Sequence, residues 1–238
     1  MSESKVAAVV GVGEGNGASV AHRFAREGFT VAIMARSEDK LAQIESDIEK
    51  AGGKALSVAA DVTDAESIKA AFEKVNAQLS APSVLVYNAG IFKINSILEL
   101  TPEQFDYCWK VNCFGAFVAA QQVLPAMVER KSGTMIFTGA TASKKGSAFF
   151  AALAVGKFGL RALSQSLARE FGPQGIHVAH VIIDGMINTQ RVRDMVADKQ
   201  EHMLLSPSAI AETYWQLYQQ DNTAWTLEMD LRPAVEKF

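Results

Sequence analysis

The chain has 238 residues, 49% of them hydrophobic and 21% charged, with a formal net charge of −3 at pH 7. This length and apolar content suit a single α/β domain with a substantial core, while the scattered, nearly balanced charge excludes an extended basic face for nucleic acid. No apolar run approaches the roughly 20 residues of a membrane span, and none near the N-terminus is long enough for a secretory core.

Val6–Val10 reads as a first strand, apolar at every position as a strand buried on both faces should be. Gly11-Val12-Gly13-Glu14-Gly15-Asn16-Gly17 follows and opens a helix. Glycines let backbone N–H groups approach a pyrophosphate, and a helix N-terminus favours its charge. Two registers fit: Gly13-x-Gly15-x-x-Ala18 and Gly11-x-x-x-Gly15-x-Gly17. Gly28 falls where this helix should stop. Thr30–Ala35 reads as strand two, with Arg36 at its tip. An arginine there suits the extra phosphate of NADP, whereas NAD prefers a carboxylate.

Leu41, Ile44 and Ile48 share one helix face, and Gly52 ends that helix. Ala55–Ala59 reads as strand three, and Ile68, Phe72, Val75 and Leu79 line the next helix. Val84–Tyr87 reads as strand four. Thr101, followed by Pro102 and Gln104, is an N-cap with proline at the first helical position. The two cysteines, Cys108 and Cys113, match no metal motif and no Cys-x-x-Cys pair. Buried reduced thiols and a cytoplasmic location are expected. Thr134–Thr138 reads as strand five, Leu160, Leu163, Leu167 and Phe171 line a helix, and Val178–Ile183 reads as strand six. His22, His177, His180 and His202 show no ligand spacing, so no metal site is expected. His177 and His180 flank a strand start and read as structural. Finally Trp225, Leu227, Met229 and Leu231 alternate with polar residues, the pattern of a half-exposed strand at a sheet edge or a subunit contact.

Strands alternating with amphipathic helices give an α/β fold: a single-domain doubly wound parallel sheet of about seven strands, helices on both faces, over residues 1–238.

The order of motifs resembles the short-chain dehydrogenase/reductase family over essentially the whole chain. Gly11-x-x-x-Gly15-x-Gly17 has that family's glycine spacing. Ala60-Asp61-Val62-Thr63-Asp64 resembles its adenine-contacting segment, and Asn88-Ala89-Gly90 its Asn-Ala-Gly motif. Asn112 falls at its active-site asparagine and Lys157 at its active-site lysine. Asp184-Gly185-Met186-Ile187-Asn188-Thr189 is similar to its Pro-Gly-x-x-x-Thr, with Asp184 for the proline.

The resemblance implies a Rossmann-type fold that binds a nicotinamide dinucleotide, NADP by Arg36, with NAD possible because Glu14 is acidic where NADP-preferring members often carry a basic residue. It implies cofactor contacts from Gly11, Gly15, Asn16, Gly17, Arg36, Asp61, Val62, Asn88, Ala89, Gly90, Lys157, Ile187 and Thr189. Lys157 and Asn112 are the implied catalytic residues. The family's tyrosine, four residues before the lysine, is Leu153 here, and its serine position falls at Ala140. Ala140 and Leu153 are thirteen apart, the family's own serine-to-tyrosine spacing, so both proton-handling side chains are apolar in one consistent register.

Three functions stay open: an oxidoreductase with another proton source, a dinucleotide-binding sensor or scaffold without turnover, and a non-redox enzyme on the same fold. Thr138, Thr141, Ser143 or Ser147 are candidates to orient substrate, with a proton relayed through water from Lys157. Phe149, Phe150, Leu153, Ile91, Phe92 and Met186 are expected to form an apolar pocket for a small substrate. Gln190 to Leu205, with Asp198 and Lys199 among its charges, is expected to form a lid. Homodimers or homotetramers are implied, paired through helices near Phe105–Arg130 and Phe149–Phe171, with Ala151, Ala152 and Ala154 allowing close contact. Neither nucleic acid nor a membrane is an expected partner.

Overall fold

The computed structural model describes residues 5–196 and 201–236. Seven parallel strands form one sheet: β1 (Val6–Val10), β2 (Thr30–Ala35), β3 (Lys54–Ala59), β4 (Val84–Tyr87), β5 (Gly133–Ala140), β6 (Ile176–Ile183) and β7 (Glu228–Leu231). Their spatial order is β3-β2-β1-β4-β5-β6-β7. Both β1 and β4 are buried at every position, which explains their unbroken apolar runs. β5 and β6 are longer than the sequence pattern suggests, because they pair from Gly133↔Ile176 to Ala140↔Ile183. The C-terminal strand is shorter than the alternation of Trp225 to Arg232 suggests. Only Glu228–Leu231 pair with β6. Trp225 instead stacks on the His177 ring, centroids 5.0 Å apart.

Helices cover both faces. On one side lie α1 (Asn16–Arg26), α2 (Glu38–Lys50) and α8 (Pro207–Tyr218). On the other lie α3 (Ala65–Gln78), α5 (Gly115–Arg130) and α6 (Ala151–Phe171). α4 (Pro102–Trp109) leads into α5, and α7 (Gln190–Met195) follows β6. The stop signals hold: Gly28 and Gly52 take φ of +86° and +83° just past α1 and α2. At α4, Thr101 Oγ1 accepts from Gln104 N at 3.2 Å, and Gln104 Oε1 accepts from Thr101 N at 3.4 Å.

α8 carries no clear signal in the sequence, yet it closes the α1 side. Phe24, Phe29, Trp215 and Tyr218 form an edge-to-face cluster there, with Phe24 and Trp215 centroids 5.5 Å apart. Arg23 lies 4.8 Å above the Trp215 ring and donates to Glu212 at 2.7 Å.

Three expectations are corrected. Pro102–Arg130 is long and apolar enough, by length and composition, to cross a membrane. More than half of its most apolar window (56%) is buried inside the protein, because Val118, Ala119, Val123 and Met127 join the core. Of the two thiols, both free, only Cys108 is buried. Cys113 is half-buried, on a helix surface where a methyl group on Gly159 would fall 2.9 Å from its Sγ. His177 and His180 lie inside β6 rather than beside its start.

The strand order places the loops after β1 and β4 side by side at the carboxyl edge, where the sheet reverses its direction of winding. That crevice is the usual ligand position in open α/β sheets.

Candidate functional site

The glycine loop between β1 and α1 is held from below by one side chain. Asn88, just past β4, donates from Nδ2 to Gly11 O at 2.9 Å and accepts at Oδ1 from Asn16 Nδ2 at 2.6 Å. Thr138 Oγ1 also donates to Asn88 Oδ1, at 3.3 Å, and so accepts from the buried Tyr214 hydroxyl at 2.8 Å. Both polar ends of Asn88 and the Asn16 Nδ2 are therefore engaged in scaffold bonds, while the buried Asn16 Oδ1 has no hydrogen-bond partner among the described residues. Gly11 has φ +88°, and a methyl group on it would lie 2.3 Å from Ala89 N. A methyl on Gly17 would lie 2.8 Å from Gly11 O, and one on Gly15 would lie 2.6 Å from Thr189 Cγ2. The missing side chain at Gly15 thus lets the Thr189 methyl pack directly against the loop, while Gly13, with nothing within 4 Å of an added methyl, leaves the loop backbone open to a phosphate.

Lys157 is 4% exposed and Asn112 is fully buried. They come from different elements. Lys157 lies in the second turn of α6 and donates to Thr138 O at 2.8 Å. Asn112 lies in a π-helical turn, Lys110–Phe114, between α4 and α5. Such a turn displaces the backbone ladder and frees a carbonyl. Asn112 Nδ2 takes Cys108 O at 2.8 Å and also Ile91 O at 2.7 Å. Its Oδ1 has no hydrogen-bond partner among the described residues. Gly156 allows the approach, since a methyl group there would lie 2.7 Å from Asn112 Cβ. Above both, a methyl on Gly90 would lie 3.4 Å from Asn112 Oδ1 and 3.5 Å from Lys157 Nζ. Burial pulls the Lys157 ammonium down to about 8, with the Cys113 thiol acting the other way. An ammonium has three donors, and one is used by Thr138 O.

At the far end, Arg36 is exposed at the tip of β2 and donates to Tyr107 Oη at 2.8 Å. Glu14 pairs with Lys40 at 3.2 Å. Asp61 accepts from Thr63 N at 2.9 Å and from Thr63 Oγ1 at 2.8 Å. Burial works to raise the Asp61 carboxyl, but these bonds and Arg36 outweigh it and hold it low. Val62 packs against Gly115, whose added methyl would lie 2.9 Å from Val62 Cβ. Ile187 bridges to Leu205. Thr189 caps α7, accepting from Val192 N at 3.3 Å. Of the segment from Gln190 to Leu205, Asp198 and Lys199 lie outside the described residues.

Ala140 ends β5 and Leu153 lies in the first turn of α6. The hydroxyls considered as replacements fare unequally. Thr138 is buried and bound to Asn88 and Tyr214. Ser143 is fully buried and accepts from Ala140 N at 3.1 Å, with His180 Nε2 at 3.4 Å. Neither can meet a substrate. Thr141 donates to Asp184 at 2.5 Å, and Ser147 is exposed. Two arrangements are invisible in the sequence. His180 Nδ1 meets Glu228 at 3.0 Å, and Glu228 is held by both arms of Arg161 at 2.6 and 2.7 Å. Asp184, in the proline's place, meets Arg232 at 3.3 Å. These partners are far apart in the chain, so no local spacing reveals them. Among the described residues no three His, Cys, Asp or Glu side chains are grouped to hold a metal ion.

The short chain dehydrogenase family matches residues 5–200. This chain is a short-chain dehydrogenase/reductase. It is 34% identical to the 3-oxoacyl-(acyl-carrier-protein) reductase FabG of Escherichia coli over 202 residues, 85% of this chain and 81% of that one. A short-chain dehydrogenase from Rhodopseudomonas palustris superposes with a TM-score of 0.84 at 38% identity, covering 96% of this chain and 98% of that one. A metagenomic short-chain oxidoreductase in complex with NADP gives a TM-score of 0.85 at 28% identity, covering 99% of this chain and 100% of the other. As a short-chain dehydrogenase/reductase the protein is an oxidoreductase by family, with the seven-stranded sheet of its structural neighbours.

The residues fit a nicotinamide dinucleotide on two grounds: the glycine loop, open at Gly13 and leading into the N-terminus of α1, and the unpaired Asn112 Oδ1 beside a buried ammonium. Lys157→Met should therefore leave the thermal midpoint unchanged or raised, because it removes a buried charge. NADPH affinity should fall about tenfold to a hundredfold, the ~1.5–3 kcal/mol of a charged hydrogen bond. Undiminished affinity by calorimetry would refute the assignment.

Proposed function

We propose that this chain is an NADP-dependent oxidoreductase in which Lys157, and no tyrosine, is the source of the proton. The observation that carries the reading is the buried pair of Lys157 and the unpartnered Asn112 Oδ1 beneath Gly90. When bound, the cofactor supplies the hydride. Lys157 binds the ribose side of it and keeps a proton available close by. Asn112 Oδ1 accepts from a water that carries that proton from Lys157 to the substrate oxygen. Ala140 and Leu153 exclude water from the remaining wall, where the family would place a serine and a tyrosine. Arg36 favours the extra phosphate of NADP, and the ion pair of Glu14 with Lys40 offsets the carboxylate beside the loop. The NADP complex of the metagenomic neighbour supports the same choice.

Loss of a positioned general acid costs about 10²–10⁴-fold. Substrates needing little protonation, such as iminium ions and activated alkenes, suffer least. The same apolar pair favours a second reading, dinucleotide binding without turnover. NADPH and NADH absorbance, followed with ketones, imines and enones, separates the two: oxidation of NADPH ahead of NADH is expected. Binding of NADPH with no turnover on any substrate would leave only the second reading.

Where turnover occurs, the reduction rate should be flat below pH ~8 and fall about tenfold per unit above it, as the Lys157 ammonium loses its proton. A rate still level at pH ~9.5 would remove Lys157 from the proton path. The double variant Ala140→Ser with Leu153→Tyr should gain about 10²–10⁴-fold in ketone reduction. No gain would mean that these positions do not face the reacting carbonyl.

The protein is also proposed to pair with copies of itself through α4, α5 and α6. Ala152 and Ala154 do not contribute, because both are buried within the protomer. Trp109, Phe117, Val155 and Phe158 do, at 36 to 47% exposure on those helices. A dimer or larger is expected by sedimentation at micromolar concentration, and a monomer would contradict the pairing.

A further inference from the structure

Apart from the helix face just described, and from Met195, Met203, Leu227 and Val235, the exposed large apolar side chains of the described residues lie on three loops. Phe92, Ile94, Ile97 and Leu98 follow β4, Phe149 follows β5, and Met186 follows β6. Those three strands are neighbours in the order β4-β5-β6, so their carboxyl-end loops stand side by side over the site. The exposures are large, 93% for Leu98, 67% for Ile97 and 59% for Phe149. Isolated exposed apolar residues need no explanation, but a contiguous group marks a binding surface.

The rim is built into the site rather than lying beside it. Asn112 Nδ2 holds Ile91 O at 2.7 Å, which anchors the start of the apolar loop next to Lys157. Asn95 N donates to Phe149 O at 3.1 Å, tying the same loop to the segment that opens α6. Phe92 and Phe150 rings lie 6.3 Å apart across that junction. Phe149 is held at φ +69°, a left-handed conformation that a bulky aromatic rarely adopts and that keeps its ring outside the core. Of the charges at the rim, Lys93 and Glu99 lie on one loop and Lys144 is paired with Asp230 at 2.7 Å, so that the exposed Lys145 is the charge left over.

We propose that the substrate is an elongated, uncharged, apolar carbonyl compound whose chain lies along this rim while its reacting end reaches Lys157. This rests on the oxidoreductase reading above and replaces the small substrate expected from the sequence. Each methylene removed from water contributes a factor of about three to four.

The test uses the NADPH-loaded protein and two readouts. Calorimetry measures binding of unreactive n-alkanols from butanol to dodecanol. NADPH absorbance measures turnover of the matching methyl ketones and of their α,β-unsaturated analogues. Affinity should rise about threefold per added methylene. Ile97→Ser with Leu98→Ser should flatten that rise and leave the shortest ligand's binding unchanged. A flat length series in the parent protein overturns the proposal. So does tighter binding of the matching fatty acids, whose carboxylate would show a charged substrate. If the double variant changes self-association or vesicle binding but not the length series, the rim serves a partner or a lipid surface, which also overturns it. A clear length dependence with no turnover of any compound would sink the redox reading instead and leave the apolar ligand standing.

Discussion

A single ammonium, taken out of water and given one carbonyl partner, sets the terms for the rest of this structure. Lys157 is buried between α6 and the end of β5, with Thr138 O as its protein acceptor. A charge in that position is costly unless further polar groups complete its shell. The surrounding elements are arranged as if for that purpose. The π-helical turn swings Asn112 inward, Gly156 removes the side chain that would block it, and Gly90 leaves open the space above both. Remove any of these and the ammonium loses either its neighbour or its access. The site is best understood as a set of absences around one charge.

The second layer of order is the Asn88 junction. Its amide joins the glycine loop to β4, and through Thr138 it reaches Tyr214 on α8. Thr138 belongs to both layers: its carbonyl receives Lys157 while its hydroxyl serves Asn88. Strand β5 therefore couples the glycine-loop end of the crevice to the Lys157 end through one residue, using opposite faces of the sheet. The backbone carbonyl needs no particular side chain, but the hydroxyl does. A valine of similar shape would keep the first contact and leave the Tyr214 hydroxyl buried without its acceptor.

Much of this was legible in the sequence because local rules govern it. Unbroken apolar runs gave the buried strands, Gly28 and Gly52 ended helices at positive φ, and Thr101 capped α4 with both reciprocal bonds in place. Lys157 stood out as a lysine among small and apolar residues, and its place in an ordered set of motifs singled it out. What stayed hidden depends on partners far away in the chain. Tyr214 meets Thr138 across 76 positions, and His180 meets Glu228 across 48. No spacing rule signals such pairs. The hydroxyls near Ala140 misled for a related reason. Composition places Thr138 and Ser143 close to the site, but only the pleat and the turn after β5 decide which way each one points.

The crossing from β1 to β4 has a consequence for how the molecule comes to exist. Strand β1 pairs with β2 nearby in sequence, Val6 opposite Thr30, but its other edge waits for β4, where Ala7 lies opposite Val84. Closing that longer loop costs entropy before the pairing repays it, and such distant parallel contacts form slowly. The crevice exists only once both edges of β1 are filled. A partly folded chain therefore has the glycine loop but no floor beneath it, and the crevice is complete only after the β1–β4 pairing forms.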